Sequence, residues 1–269
     1  MLTKRLIACF DVIGDKVTKA QQFQNNIEIA DAKTLAAKLY HEGIDEVIFY
    51  DIKASAEKRM LNLEVVRAVA AEVFVPFTVG GGIKSVSDMH QALKAGAEKV
   101  SIDSMAVRNP NIITEGAAAF GRQCIVLSMQ VIKRERCGLF PSGYEVAIDG
   151  ARTMTGMDAV AWARKGAYLG AGEIVINSID NDGTHQGYDL AITEQIATAV
   201  NVPTVASGGA GTIKHLQTVF TQTPVTAAII SSMLYSPRLK HNFTVAAIKD
   251  SLIEQKIPIR PHHLSITSH

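Results

Sequence analysis

No stretch of the 269-residue chain stays apolar for the roughly 18–20 residues that a membrane-spanning helix needs. The opening "MLTKRLIACFDV" has no leader-like apolar core followed by a cleavage site, and its short apolar run reads as a strand. Cysteine is scarce. Cys9, Cys124 and Cys137 make an odd count with no C-x-x-C pair, which argues against a disulfide framework and for reduced thiols in a cytoplasmic protein. An excess of one charge is missing too. The 27 Lys and Arg against 26 Asp and Glu leave a net charge of +1, too little to attract nucleic acid or an anionic membrane. No linker-like shift in composition divides the chain, so residues 1–261 are expected to form one domain and 262–269 a tail. The histidines of "RPHHLSITSH" read as a frayed terminus, and no metal site is expected there.

What is present is alternation. Eight β-rich apolar runs recur: "RLIACF" (5–10), "EVIFYD" (46–51), "VPFTV" (75–79), "EKVSI" (98–102), "QCIVLSM" (123–129), "EIVINS" (173–178), "VPTVA" (202–206) and "TAAIIS" (226–231). Amphipathic, helix-like stretches follow them, among them 33–43, 62–73, 85–96 and 155–166. Runs so uniformly apolar suit strands covered on both faces. Eight strand–helix alternations in this length point to an α/β fold, a (β/α)8 TIM barrel, over a doubly wound sheet. The chain also echoes itself. Glu46 and Glu173 open matching strands, and "VPFTVGGG" and "VPTVASGG" begin at 75 and 202, so both pairs lie 127 residues apart. The barrel therefore reads as two related half-barrels of four units each.

In such a barrel, chemistry sits where strands end. "GGGI" (80–83) and "SGGAG" (207–211) follow the third and seventh strands, and "DSMAV" (103–107) and "SSMLY" (231–235) follow the fourth and eighth. Glycine lets backbone N–H groups approach an anion, and hydroxyls add donors. Two such sites imply a substrate with phosphate at both ends. Asp11, Asp51, Asp103, Asp180 and Asp182 also follow strand ends. Most loop aspartates are turn formers, but Asp11 directly closes a buried strand, where a carboxylate can transfer protons. At the opposite rim, Arg5, Glu46, Lys99 and Glu173 stand at strand starts, where alternating charges can pair across the floor.

Eight ordered motifs, "KRLIACFDV", "DIKAS", "PFTVGGGI", "EKVSI", "PSGYEV", "GAGEI", "DNDGT" and "ASGGAG", resemble the cyclase subunit of imidazole glycerol phosphate synthase, the HisF family. The resemblance implies a lyase that uses ammonia from a partner glutaminase. Its substrate would be a bis-phosphorylated ribulosyl formimino-aminoimidazole carboxamide ribotide. Its products would be imidazole glycerol phosphate and aminoimidazole carboxamide ribotide, made without metal or redox cofactor. It implies that Asp11 is one of two acid–base groups and that Lys19, in the loop after strand one, covers substrate. Asp51 and Asp182 would support the reaction centre. The phosphates would rest on Gly81, Gly82, Asp103 and Ser104 in one half. In the other they would rest on Gly183, Ser207, Gly208, Gly209, Ser231 and Ser232. Arg5, Glu46, Lys99 and Glu173 would ring the ammonia entrance.

Two single positions depart from the family, as does the loop after strand one, which reads "VIGDKVTKAQQF" where the family usually has "KDGRVVKG". Gln130 stands where the second acid–base Asp is expected, and Asp103 replaces an Asn. An amide does not titrate near neutrality, so the loss of that group alone would cost about 10²–10⁴ in rate. Three readings follow: a divergent cyclase, a paralogue delivering ammonia to another phosphorylated or sugar substrate, and an inactive allosteric partner of a glutaminase. The segment 135–156 is expected to hold a small hairpin over the catalytic rim.

Overall fold

The computed structural model describes residues 3–21, 24–54, 57, 59–237, 239 and 241–262; residues 263–269 of the expected tail lie outside the described residues. In chain order the elements are β1 (Arg5–Ile13), β2 (Lys16–Gln21), β3 (Gln24–Asp31), α1 (Ala32–His41), β4 (Glu46–Asp51), α2 (Leu63–Ala70), β5 (Phe77–Gly80), α3 (Val86–Lys94), β6 (Lys99–Ile102), α4 (Ser104–Arg108), α5 (Asn111–Phe120), β7 (Ile125–Lys133), β8 (Tyr144–Ile148), β9 (Thr153–Asp158), α6 (Ala159–Leu169), β10 (Glu173–Ser178), α7 (Leu190–Ala199), β11 (Thr204–Ser207), α8 (Ile213–Gln222), β12 (Ala227–Ile229), α9 (Ser231–Tyr235) and α10 (Val245–Glu254).

Eight of the strands are parallel and close on themselves in the order β1-β4-β5-β6-β7-β10-β11-β12, with β12 returning to β1. This is the expected (β/α)8 barrel. Pro76 and Pro203 cannot donate to a ladder, so β5 and β11 begin one residue after them. Helix starts are set by side-chain caps. Asp31, Asn62, Ser85, Asp158, Asp189, Thr212 and Thr244 each accept from a first-turn backbone N–H. Among the described residues, no helix is long and apolar enough to cross a membrane.

The chain departs from expectation in two places. The segment after strand one, read as a loop, is an antiparallel hairpin. Gly14 turns at φ 65°, and β2 pairs back onto β1 with Asp11 opposite Thr18. Lys19 is therefore on a strand. The helix expected over 155–166 begins only at Ala159, because Asp158 caps it with Oδ1 while its Oδ2 accepts from Ser142 N–H. Residues 153–158 instead form β9, paired to β8 and through it to β7. The expected hairpin over the rim is thus present, and its second strand runs past the end of the 135–156 span to Asp158.

Two apolar regions hold the barrel. The larger lies between strands and helices, and the smaller fills the lumen with Ile7, Ile48, Val126, Val175, Val205, Ala227 and Ile229. A buried ion pair ties α10 to the floor. Lys249 Nζ, fully buried, lies 2.7 Å from Asp45 Oδ1, and Asp45 Oδ2 accepts from Leu6 N–H at 2.9 Å. Removing one partner of such a pair strands the other. Asp45→Ala is expected to lower unfolding free energy in urea by about 3–5 kcal/mol. Lys249→Met should cost less, since Arg260 at 3.0 Å and Leu6 still serve Asp45.

Candidate functional site at the mouth of the barrel

Strand side chains alternate between faces, and the lumen can be read upward in steps of two. On β1 the inward residues are Arg5, Ile7, Cys9 and Asp11; on β4 they are Glu46, Ile48 and Tyr50. From β6 come Lys99 and Ser101, with Asp103 just past its end, and from β7 Val126, Ser128 and Gln130. The lumen is thereby layered: charges at the floor, an apolar band, hydroxyls and a thiol, then carboxylates at the mouth. Tyr50 and Ser101 hydroxyls meet at 3.0 Å in the third layer.

The floor charges close into a ring. Arg5 lies 2.6 Å from Glu46 and 2.5 Å from Glu173, and Lys99 lies 2.5 Å from Glu46 and 2.8 Å from Glu173. Burial works against both cations, but the two carboxylates outweigh it and hold Arg5 and Lys99 above their ordinary pKa values. The carboxylates differ. Burial and the charge of Glu173 push Glu46 up, whereas at Glu173 the pull of Lys99 and Arg5 overcomes burial and leaves it below the usual range.

At the mouth, Asp11, Lys19 and Asp182 form one electrostatic group. Burial raises the Asp11 carboxyl, with Lys19 opposing and Asp182 adding to the rise. Burial likewise raises Asp182 against Lys19 and a bond from Gly183 N–H. The Cys9 thiol beneath them is pushed up by burial and by Asp11, so it stays protonated. Asp51 is differently placed. Arg59 grips it at 2.6 and 2.8 Å, and Lys53 and Ala54 N–H groups complete its shell.

Two glycine turns stand at the same rim. Gly81 and Gly82 have φ of 92° and 74°, and Gly208 and Gly209, 127 positions later, have 90° and 99°. A Cβ on Gly81 would lie 2.3 Å from the Asp51 carbonyl oxygen, and one on Gly208 would lie 2.6 Å from that of Ser178. Asp51 and Ser178 are themselves 127 apart, so the half-barrel repeat extends to the contact that forbids a side chain. Ser231 is occupied: its hydroxyl accepts from Cys9 N–H at 2.6 Å and donates to Cys9 C=O at 2.8 Å. The Ser104 hydroxyl accepts from Asp149 N–H at 3.0 Å. Ser232 is the second residue of α9, next to Ser231, and Ser207 ends β11.

Gln130 is held on both sides. Its Oε1 accepts from Ala151 N–H at 2.6 Å, and its Nε2 donates to Asp103 Oδ2 at 2.5 Å. Ala151 sits in the β8–β9 turn at φ 61°. The hairpin expected over the rim therefore fastens directly to the Gln130 amide, which lies within β7. Asp180, another strand-end carboxylate, accepts from Lys133 N–H at 2.8 Å and serves the backbone.

A family model described as "Histidine biosynthesis protein" matches residues 5–240. The chain is 50% identical over 260 residues to the imidazole glycerol phosphate synthase subunit HisF of Desulfatibacillum aliphaticivorans, covering 97% of this chain and 98% of that one. It is 48% identical over 260 residues to the HisF subunit of Desulfosudis oleivorans, covering 97% and 99%. The chain belongs to the HisF family. As a member it is an enzyme subunit of histidine biosynthesis, and full-length likeness to HisF subunits does not favour a sugar-modifying paralogue or an inert partner. Among the described residues, no cluster of three or more His, Cys, Asp or Glu side chains is set to hold a metal ion.

Reading strand ends alone passes over several residues that the HisF-type barrel brings to the site. Arg59, Cys9, Tyr50 and Ser128 carry no motif of their own. Cys9 and Ser128 are accessible by counting back two from Asp11 and Gln130. Arg59 is not, because its partner is eight residues away across a turn.

The floor ring makes a pH-dependent contribution to stability. Glu173, held below its ordinary value, stabilises the fold above the usual glutamate range, and that contribution is lost as pH falls through its lower folded pKa. Glu173→Gln should therefore cost about 3 kcal/mol at neutral pH. In denaturant titrations the gap from wild type should narrow as the medium is acidified through the carboxylate range.

Proposed function

We propose that this chain is the lyase half of a two-subunit imidazole glycerol phosphate synthase. It takes ammonia released by a glutaminase docked against the barrel floor. It uses that ammonia to cyclise and cleave the bis-phosphorylated ribulosyl formimino-aminoimidazole carboxamide ribotide to imidazole glycerol phosphate and aminoimidazole carboxamide ribotide, in the cytoplasm. The observation that carries this reading is the pair of glycine turns 127 residues apart, on the same rim as Asp11. A substrate with a phosphate at each end would span them with its reactive middle over the lumen.

The roles follow from chemistry. Backbone N–H groups at Gly81 and Gly82 would take one phosphate, with Ser104 nearby. Those at Gly208 and Gly209 would take the other, with Gly183, Ser207 and Ser232. Ser231 would act through the backbone it anchors. Asp11, raised by burial, would move protons at the incoming nitrogen. Lys19 would steady the anionic substrate, Asp182 would tune Asp11, and Asp51 would fix the loop that carries Arg59. Ammonia would enter through the ring of Arg5, Glu46, Lys99 and Glu173. The apolar band above that ring favours neutral NH₃, because an unpaired ammonium ion is costly to desolvate.

Purified protein supplied with an ammonium salt and the bis-phosphate should form the imidazole product. Asp11→Asn should lose about 10²–10⁴ in rate. Tight binding of the bis-phosphate with no product would point to ammonia delivery to another substrate, and failure to bind it would point to a scaffold; either result contradicts the proposal.

A further inference from the structure

Asp103 and Gln130 leave adjacent barrel strands, since β6 pairs with β7 through Ile102 and Leu127. Three geometric features set Asp103 apart from the other rim carboxylates. First, it occupies the N-cap position of α4 yet makes no capping bond. An Asp there ordinarily turns back onto the helix, whereas this one is turned into the lumen. Second, among the described residues the one hydrogen-bond partner of its side chain is Gln130. Asp51, by contrast, has both oxygens gripped by Arg59. Third, the polarity of that bond is determined by its surroundings. Ala151 N–H can only donate, so the Gln130 end facing it is Oε1, and the end facing Asp103 is the N–H donor. Oδ2 of Asp103 must then accept, which leaves Oδ1 as the seat of any proton the carboxyl carries.

We propose that Asp103 is the second acid–base group of this site, acting opposite Asp11, and that Gln130 is the residue that positions it. This rests on the cyclase reading above. The amide at 130 and the carboxylate at 103 are two ends of one hydrogen bond. An Asp at 130 with an Asn at 103 would place the same two groups, an amide and a carboxylate, at this corner with their strands exchanged. The acid at this corner of the lumen has therefore moved by one strand and has not been lost. An Asp at 130 beside the present Asp103 would bring two carboxylates to the same corner of the lumen, which an amide avoids.

The electrostatics agree with the geometry. Burial pushes the Asp103 carboxyl up to about 7, against the Gln130 bond, which pulls it down. Asp149, from the β8–β9 turn, adds to the rise, and Arg108 on α4 opposes it while pairing with Asp149 at 2.5 Å. Tyr50 on β4 faces the same space and is itself held protonated. A group poised near neutrality suits both halves of a proton transfer. In the cycle, one carboxylate takes the proton shed by the incoming nitrogen and the other gives its proton to the departing group. No net proton is consumed, and exchange with water restores the pair.

Four variants test this with ammonium as nitrogen source. Asp103→Asn should lose about 10²–10⁴ in kcat, yet melt no lower than wild type, because the amide keeps the bond to Gln130 without the cost of a shielded charge. Adding Gln130→Asp to it returns a carboxylate to the corner and should recover at least about tenfold. Gln130→Met deletes the donor that holds Asp103 down, so the limb of the pH–rate profile near 7 should move to higher pH. An Asp103→Asn enzyme as fast as wild type, a double variant no faster than it, or an unmoved limb in Gln130→Met overturns the assignment. So does a Gln130→Asp single variant about tenfold faster than wild type, since it would make position 130 the natural seat. Wild type without turnover counts against the cyclase reading itself, which separates the two failures.

Discussion

Closure of the parallel barrel is the constraint on which everything else depends. Once β12 pairs with β1 and β7 with β10, every second residue of eight strands has no direction but inward. Arg5, Ile7, Cys9 and Asp11 then stack from floor to mouth, and Lys99, Ser101 and Asp103 stack in the same way three strands round the barrel. A slip of one residue in any strand would turn its inward set outward, so the register that packs the apolar band also sets the charges at both ends. The floor tolerates four charges because they alternate and cancel within the ring. The mouth is less balanced, with Asp11, Asp103 and Asp182 sharing the region with Lys19.

That imbalance has a thermodynamic sign. A carboxyl whose folded pKa exceeds its unfolded one binds its proton more tightly when folded. Stability therefore falls as pH rises from the ordinary carboxylate range through the raised folded value. Asp103 carries this cost up to about 7, on the order of 1 kcal/mol for each tenfold gain in proton affinity. Asp11 and Asp182 move in the same direction. The fold accepts instability at the mouth and recovers it below, where Lys249 and Asp45 and the floor ring are paired. Both antiparallel excursions lie over the costly end. β2–β3 presents Lys19 to Asp11 and Asp182, and β8–β9 fastens to Gln130 through Ala151.

Much of this is legible in the residues alone. The eight strand–helix alternations, the 127-residue repeat and the four floor charges depend on local pattern, and local pattern survives folding. The hairpin after strand one escapes such a reading because Gly14 and Asp15 look like the start of a loop, and only pairing to β1 reveals β2. The start of α6 is misplaced because Asp158 ends a strand and caps a helix at once. Asp103 and Gln130 are each visible as departures, one as a charge at an expected phosphate site and the other as a missing acid. Nothing in a linear reading joins residues 27 positions apart; the adjacency of β6 and β7 does.

The most direct measurement is a ¹³C NMR titration of the aspartate carboxyl carbons, with the Asp103 resonance assigned by its loss in Asp103→Asn. Asp103 should titrate with a midpoint of about 7, apart from the exposed aspartates. A midpoint among the ordinary carboxylates, near about 4, would show that the barrel does not shield this group, and would contradict the claim that the second acid–base function resides there.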